Sequence, residues 1–375
     1  MIYLDNAATT RAYEECNKII EKYNSEMFFN PSAMYKSGFS LQQDFNNARE
    51  NIIKILHGEQ DGKVVFTGSA TEANNLAIYG SLTKKQGTYI FSSGEHPSVY
   101  NCAMDLKSKG FDVKFISLNP NGEIDFEHFK SLLNQNVCFV SLMLVSNETG
   151  AINPIKAVKQ EMGKICPSAL LHVDAVQGFC KIPIDLRSWG VDLCTISAHK
   201  IYGPKGVGAL YFSKRVHLKP VTMGGGQENN LRSGTYNTAG IMALNFAATE
   251  TNKNKEEMFN LFTELRKDFL KKLEPLKDKV IVNCENGVPY ILSLSFPGIR
   301  GETVLHMMEQ DDIIIGTGSA CSASKVGNRV LEEIGRNKSE IQGSVRISFG
   351  IHNTKEEISF AAEKLVEYVN KLYSM

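Results

Sequence analysis

A lysine set in a His/Gly/Pro turn directly after an apolar run is the first place in this sequence where residue types and spacing could do chemistry. LCTI at 193–196 reads as a buried strand and SAHKIYGPKG follows at 197–206, so Lys200 falls just past a strand's carboxyl end. Open α/β sheets bind their ligands at such ends. A lysine there is either an ordinary solvated charge or an amine that forms a Schiff base with an aldehyde cofactor.

Pyridoxal 5'-phosphate, the commonest such aldehyde, needs more than a lysine. It needs an acid for its pyridine nitrogen, a phosphate cup, and usually a ring over its face. LLHVDAVQG places Asp174 at the end of another apolar run, about one strand–helix–strand spacing before Lys200. That carboxylate would pair with the pyridinium or, more plainly, cap a helix. Gln177 stands three residues on, within reach of the ring's phenolic oxygen. VVFTGSATEANNLAIYG runs from a strand at 64–66 through Ser69, Ala70 and Thr71 into a helix expected to start near Glu72. The free N–H groups of a helix start bind phosphate, with Ser69 and Thr71 adding hydroxyls; a simple Ser/Thr cap fits the same residues. Ser197 and His199 beside the lysine would complete the cup. His96, in SSGEHPSVY, lies on a loop after the strand-like TYIFSS, where an imidazole can stack on a cofactor and move protons. Asn147 follows the most apolar strand, 137–145, and Arg346 lies in SVRISFG, where its guanidinium would grip a substrate carboxylate or sit as an edge-strand charge.

The chain has eight cysteines, no two close enough for CxxC, which argues against a zinc ribbon, a dithiol motif or a disulfide framework and fits a reducing compartment. No metal site is expected. Cys138 and Cys194 read as small core residues. Cys321 differs: GTGSACSAS at 316–324 is too small and flexible to be a packed strand interior, so its thiol is a nucleophile or simply a loop residue.

The elements that must position these groups follow from the hydrophobic pattern. With 375 residues, two domains are expected. Apolar runs alternate with helical patterns over about 64–212, the βαβ signature of a parallel sheet covered by helices. From 252 to 278 the chain turns charged and helical. KVIVN, YILSLSF, IIIGTG and SVRISFG then alternate with helices as a smaller α+β domain would, closed by a helix at 355–372. At 42% hydrophobic residues and formal net charge +0, nothing favours nucleic acid, and no apolar run reaches a membrane span. MIYLDNAATT lacks the pattern of a signal peptide, so the cytoplasm is expected. GTGSAC has two glycines but comes too late for a dinucleotide fingerprint, and there is no GxxxxGK[ST].

Ten ordered motifs together carry a resemblance. YLDNAATT, FNPSAMY, SATEANN, GEHPSV, SNETGAINP, VDAVQG, SAHKIYGPKG, GGGQENNLRSGTYN, GTGSACSAS and SVRISFG, spread from Tyr3 to Gly350, resemble the NifS/IscS-type cysteine desulfurases, class V members of the fold-type I pyridoxal phosphate enzymes. The resemblance implies an α/β fold: a mostly parallel seven-stranded sheet sandwiched by helices over residues 14–252, and a smaller α+β domain from 1–13 with 253–375. It implies that Lys200 holds the cofactor covalently, Asp174 its pyridine nitrogen, Gln177 its ring oxygen and His96 its face. Ala70, Thr71, Ser197 and His199 would hold the phosphate, and Thr235 the phosphate of the partner subunit in a homodimer. Asn147 and Arg346 would take the carboxylate of L-cysteine. Cys321 would accept its sulfur as a persulfide, for delivery to an iron–sulfur scaffold or a tRNA-thiolation enzyme. The chain departs from the family after SFG, where Ile351, His352, Asn353 and Thr354 replace a basic–aromatic pair and a threonine, and its long stretch between Cys321 and Arg346 resembles the group acting with iron–sulfur scaffolds. A selenocysteine lyase or a class V aminotransferase are neighbouring readings, although an aminotransferase has no use for Cys321. A sulfur-trafficking scaffold without cofactor is a third.

Overall fold

The computed structural model describes residues 1–82, 87–317 and 329–375. Twelve strands among the described residues run in chain order. β1 (Ile2–Leu4) precedes a large sheet made of β2 (Lys63–Thr67), β3 (Thr88–Ser92), β4 (Asp112–Ile116), β5 (Val137–Met143), β6 (Leu170–Asp174), β7 (Leu193–Ser197) and β8 (Gly208–Phe212). β9 (Ile281–Val282), β10 (Ile291–Ser295), β11 (Ile313–Ile315) and β12 (Ser344–Ser348) follow.

The large sheet has the order β2-β8-β7-β6-β5-β3-β4. Neighbours from β7 to β4 are parallel, whereas β8 is antiparallel to both β7 and β2. The reversal at β8, which the βαβ pattern does not announce, has a simple cause: the link 198–207 contains only a short 3-10 turn and cannot make the crossover that a parallel neighbour requires. A second reversal, from β8 to β2, restores the direction, so β2 ends at the same edge as β3, β5, β6 and β7.

Both faces of this sheet are covered. Successive residues of β2 alternate between two apolar clusters, Val64 and Phe66 in one, Val65 in the other. Helices Ala70–Gly80 and Pro97–Ser108 send Ala73, Leu76, Val99 and Leu106 into the second cluster. Helices Lys36–Ile55, Ile155–Ile165 and Thr238–Lys253 fill the first with Phe45, Val158 and Leu244. Every residue of β3, β7 and β8 is buried, as two-sided covering requires. Cys194 is in this core, as expected. Cys138 is only half-buried, because it stands at the irregular first rung between β3 and β5.

The later strands form an antiparallel sheet β12-β10-β9 and a pair β1-β11. β1 runs parallel to β11, so the amino terminus joins the carboxyl-terminal part, and an Asp5–Ser348 bridge extends the contact. Helices Lys255–Lys272 and Lys355–Tyr373 pack against each other there through Phe262, Phe269, Ile358 and Leu365. No helix among the described residues is long and apolar enough to cross a membrane.

Candidate active site

The carboxyl ends of β2, β3, β5, β6 and β7, with Arg346 of β12 and the turn after β1, surround a cavity of about 370 Å³. Lys200, Asp174, Gln177, His96, Ala70, Thr71, His199, Asn147 and Arg346 all line it. They come from separate parts of the chain and meet because successive strands deliver their ends to one edge.

Lys200 sits in the 3-10 turn after β7, and its Nζ donates to the Ala7 and Ala8 carbonyls, each at 2.6 Å. Burial pulls the amine's pKa down to about 8, helped by the Arg346 guanidinium and opposed by Asp5 and Asp174. Near neutrality a useful fraction is therefore the uncharged nucleophile.

Asp174 ends β6 and is 3% exposed. Oδ1 accepts the Val176 N–H at 3.0 Å and Oδ2 accepts Asn74 Nδ2 at 2.8 Å, yet among the described residues no cation forms an ion pair with it. A buried carboxylate in that state is costly unless a cationic group completes it.

His96 caps helix Pro97–Ser108. Its Nδ1 accepts the Ser98 backbone N–H at 3.2 Å and lies 2.8 Å from Ser98 Oγ. A backbone N–H can only donate, so a neutral His96 carries its proton on Nε2. Burial first, then Lys200 and Arg329, lower its pKa, against the pull of Asp174. His199 is likewise held neutral, its pKa pulled down to about 4 by burial and Lys200.

The helix expected near Glu72 begins at Ala70. Ser69 is its N-cap, accepting the Glu72 N–H at 3.2 Å, while the Glu72 side chain accepts Gly68 N–H at 2.6 Å and pairs with Arg232 at 2.7 Å. Ala70 and Thr71, whose first-turn N–H groups have no helical partners, line the cavity. Gly208 permits this approach: a Cβ there would lie 2.9 Å from Ala70 N.

Arg346 is 7% exposed, Nη2 pairing with Asp5 Oδ1 at 2.7 Å and Nη1 donating to the Asn147 carbonyl at 2.8 Å. Its buried Nε has no partner among the described residues. A guanidinium so fixed, facing a cavity, suits a carboxylate ligand.

Comparison with known proteins agrees with this geometry. Residues 2–360 match the family described as Aminotransferase class-V. The chain is 36% identical to a cysteine desulfurase IscS of Dictyoglomus turgidum, covering 99% of this chain and 95% of that one, and 35% identical to one of Clostridium botulinum, covering 100% and 96%. Among solved structures, a NifS-like protein superposes with a TM-score of 0.92 at 32% identity over 99% of both chains. A NifS-like protein from Rickettsia africae gives 0.88 at 30% identity over the full length of both. The chain belongs to the class V aminotransferase family, in its cysteine desulfurase branch.

Within this class V framework two expected residues lie apart from the cavity lining. Ser197 is 1% exposed at the end of β7 and does not line the cavity. Thr235 lines a separate, smaller depression with Gly206 and Arg232. Cys321 lies outside the described residues. Others were missed in sequence. Ala7 and Ala8 form part of the cavity wall, Asp5 orients Arg346, and Asn74 with Ser98 connects His96 to Asp174. The YLDNAATT motif flagged the first three only as part of a pattern. Asn74 was likewise flagged only as part of SATEANN, where it stands beside Asn75.

Proposed function

We propose that this chain is a pyridoxal 5'-phosphate-dependent cysteine desulfurase that converts L-cysteine to L-alanine and places the sulfur on Cys321. The observation that carries the reading is the meeting, in one cavity, of a lysine amine whose pKa is pulled down to about 8 and a buried carboxylate with no ion-pair partner among the described residues. A ring bearing an aldehyde and a protonated nitrogen satisfies both.

Lys200 would hold the cofactor covalently and Asp174 its ring nitrogen, with His96 over its face and Gln177 at its ring oxygen. Ala70, Thr71, His199 and Ser197 would hold the phosphate, with Thr235 contributed from the second copy of a homodimer. When bound, pyridoxal phosphate supplies an aldehyde for attachment and a ring that accepts the electrons left on Cα. Arg346 and Asn147 would orient the substrate carboxylate. Lys200, once free, is the group able to take the Cα proton. The Cys321 thiolate would attack the substrate sulfur, forming an S–S bond as the C–S bond breaks and leaving a persulfide. The Gly/Ser/Ala composition around Cys321 suits delivery to a sulfur-acceptor protein, an iron–sulfur scaffold or a tRNA-thiolation enzyme. Eight cysteines with no two close enough for CxxC support a reducing compartment, the cytoplasm.

The test is the visible spectrum of purified protein, then alanine and sulfide released from L-cysteine with a thiol reductant, for wild type, Lys200→Ala and Cys321→Ala. A coloured wild type releasing equal alanine and sulfide, with turnover lost in both variants and colour kept in Cys321→Ala, is expected. A colourless wild type sinks the cofactor assignment, and full turnover in Cys321→Ala sinks the persulfide route.

A further inference from the structure

Gln177 is held at three points, two of them by residues that the reaction above does not use. Nε2 donates to the Ala7 carbonyl at 2.9 Å, Oε1 accepts from Lys181 Nζ at 3.3 Å, and the backbone carbonyl accepts Tyr290 Oη at 2.8 Å. Lys181 is 6% exposed and its Nζ lies 4.6 Å from the centroid of the Tyr290 ring. The titratable groups that act on it are Lys200 and Cys180, with no carboxylate among them. Burial and Lys200 together pull its pKa down to about 7. A lysine buried without a carboxylate is rare and costly, so its retention here calls for a reason.

Simple donor and acceptor chemistry supplies one. The Ala7 carbonyl can only accept, so the amide atom facing it is the nitrogen. The atom facing Lys181 is then the oxygen, and Lys181 has an N–H to donate in either protonation state. Nε2 carries two hydrogens and Ala7 takes one. The other is left for the cavity, which Gln177 lines. Without Lys181, Oε1 would be buried with no donor, and the amide would swing to find one.

We propose that Lys181 is a positioning residue that locks the Gln177 amide with its nitrogen toward the cavity, so that Gln177 meets the cofactor's ring oxygen as a donor and stabilises its ionised form. The inference rests on the pyridoxal phosphate reading and deepens it: Gln177 becomes a donor of fixed orientation, and Lys181 acts through it without touching the cofactor.

The readout is the pH midpoint of the visible absorbance change of the cofactor-loaded protein, measured without substrate. Asp174, His96, His199, Lys200 and the Arg346–Asp5 pair also face the cavity or its wall, and all stay unchanged across the variants, so differences report Lys181 and Gln177. Lys181→Met should raise the midpoint by about one pH unit, since the ring oxygen loses its donor and becomes more basic. Lys181→Arg, which restores a donor, should bring the midpoint back. In a Gln177→Ala background, Lys181→Met should add nothing. An unchanged midpoint in Lys181→Met overturns the proposal. So does a shift of equal size in both backgrounds, which would mean that Lys181 acts by its charge alone. A colourless wild type removes the cofactor reading and the inference with it, an outcome visible before any variant is made. Should Lys181→Met fail to fold, Gln177→Glu, which offers Lys181 a carboxylate but has no N–H, decides: its midpoint should rise, and a wild-type value overturns the proposal.

Discussion

Asn74 donates its side-chain N–H to Asp174 Oδ2 at 2.8 Å, although the two stand on different elements, helix Ala70–Gly80 and the end of β6. The same nitrogen donates to Ser98 Oγ at 2.9 Å, and Ser98 contacts His96, so one fully buried amide orients both the acid and the ring of the proposed cofactor site. Asn74→Ala removes a hydrogen bond to a charged group, worth about 1.5–3 kcal/mol. Pyridoxal phosphate should therefore be retained at least ~10-fold less tightly. Equilibrium dialysis followed by absorbance measures it, and unchanged retention would mean that Asp174 needs no such support.

The Arg346–Asp5 pair makes a prediction about substrate. Asp5→Asn weakens the anchor of the guanidinium and should raise KM for L-cysteine roughly 10-fold with a smaller effect on kcat. Arg346→Lys loses the planar fork and should raise KM by about 100-fold. Steady-state alanine formation separates the two constants, and a pure kcat loss would place Arg346 elsewhere in the reaction.

Lys200 sets a pH dependence. Its pKa of about 8 lies below the ordinary 10.5, so the attacking, uncharged amine accumulates as pH rises through about 8. Cofactor uptake by cofactor-free protein should accelerate with pH and level off above that midpoint. Stopped-flow absorbance reads it directly; a midpoint near 10.5 would contradict the burial argument.

Glu95 carries the opposite sign. It is 1% exposed, with Oε1 accepting the Met143 N–H at 2.8 Å and Oε2 without a partner among the described residues. Burial, then repulsion from Asp174, holds its carboxyl protonated well above the ordinary 4.5, against the opposing pull of the Met143 N–H and Arg329. The folded chain thus keeps a proton that the unfolded chain releases, and this group's contribution to stability, full below pH 4.5, declines as pH rises toward the folded pKa. Glu95→Gln keeps the acceptor and cannot ionise. Its Tm relative to wild type should climb as pH rises above 4.5 toward the raised pKa of the folded carboxyl, which thermal melts at several pH values will test.

Most of the residues around the cavity were legible from sequence because a strand's carboxyl end is marked locally, by an apolar run that stops at a polar residue. Lys200 after β7, Asp174 at the end of β6 and Asn147 after β5 were found in that way, Thr71 came from a helix start after a strand, His96 from a loop after a strand and Arg346 from a strand of its own. The burial of Ser197 was not legible, because a side chain at the last position of a strand points to one face or the other, and a single residue of register decides which. Asn74 and Asp5 were missed because each acts on a partner far away in the chain, and hydrogen bonds between elements leave no periodic trace.

What the chain determined by itself was local: the apolar periods that make strands and helices, the cap at Ser69, the glycines that permit close approach, and the chemistry of each side chain. The tertiary structure decided what depends on proximity between distant segments. The turn after β1 comes to lie over Lys200, β8 reverses so that β2 delivers Ala70 and Thr71 to the common edge, and burial brings the Lys200 amine toward neutrality while Asp174 is left without an ion-pair partner among the described residues. Those properties arise from desolvation and from charges across space, which a linear order of residues specifies only once the chain has folded.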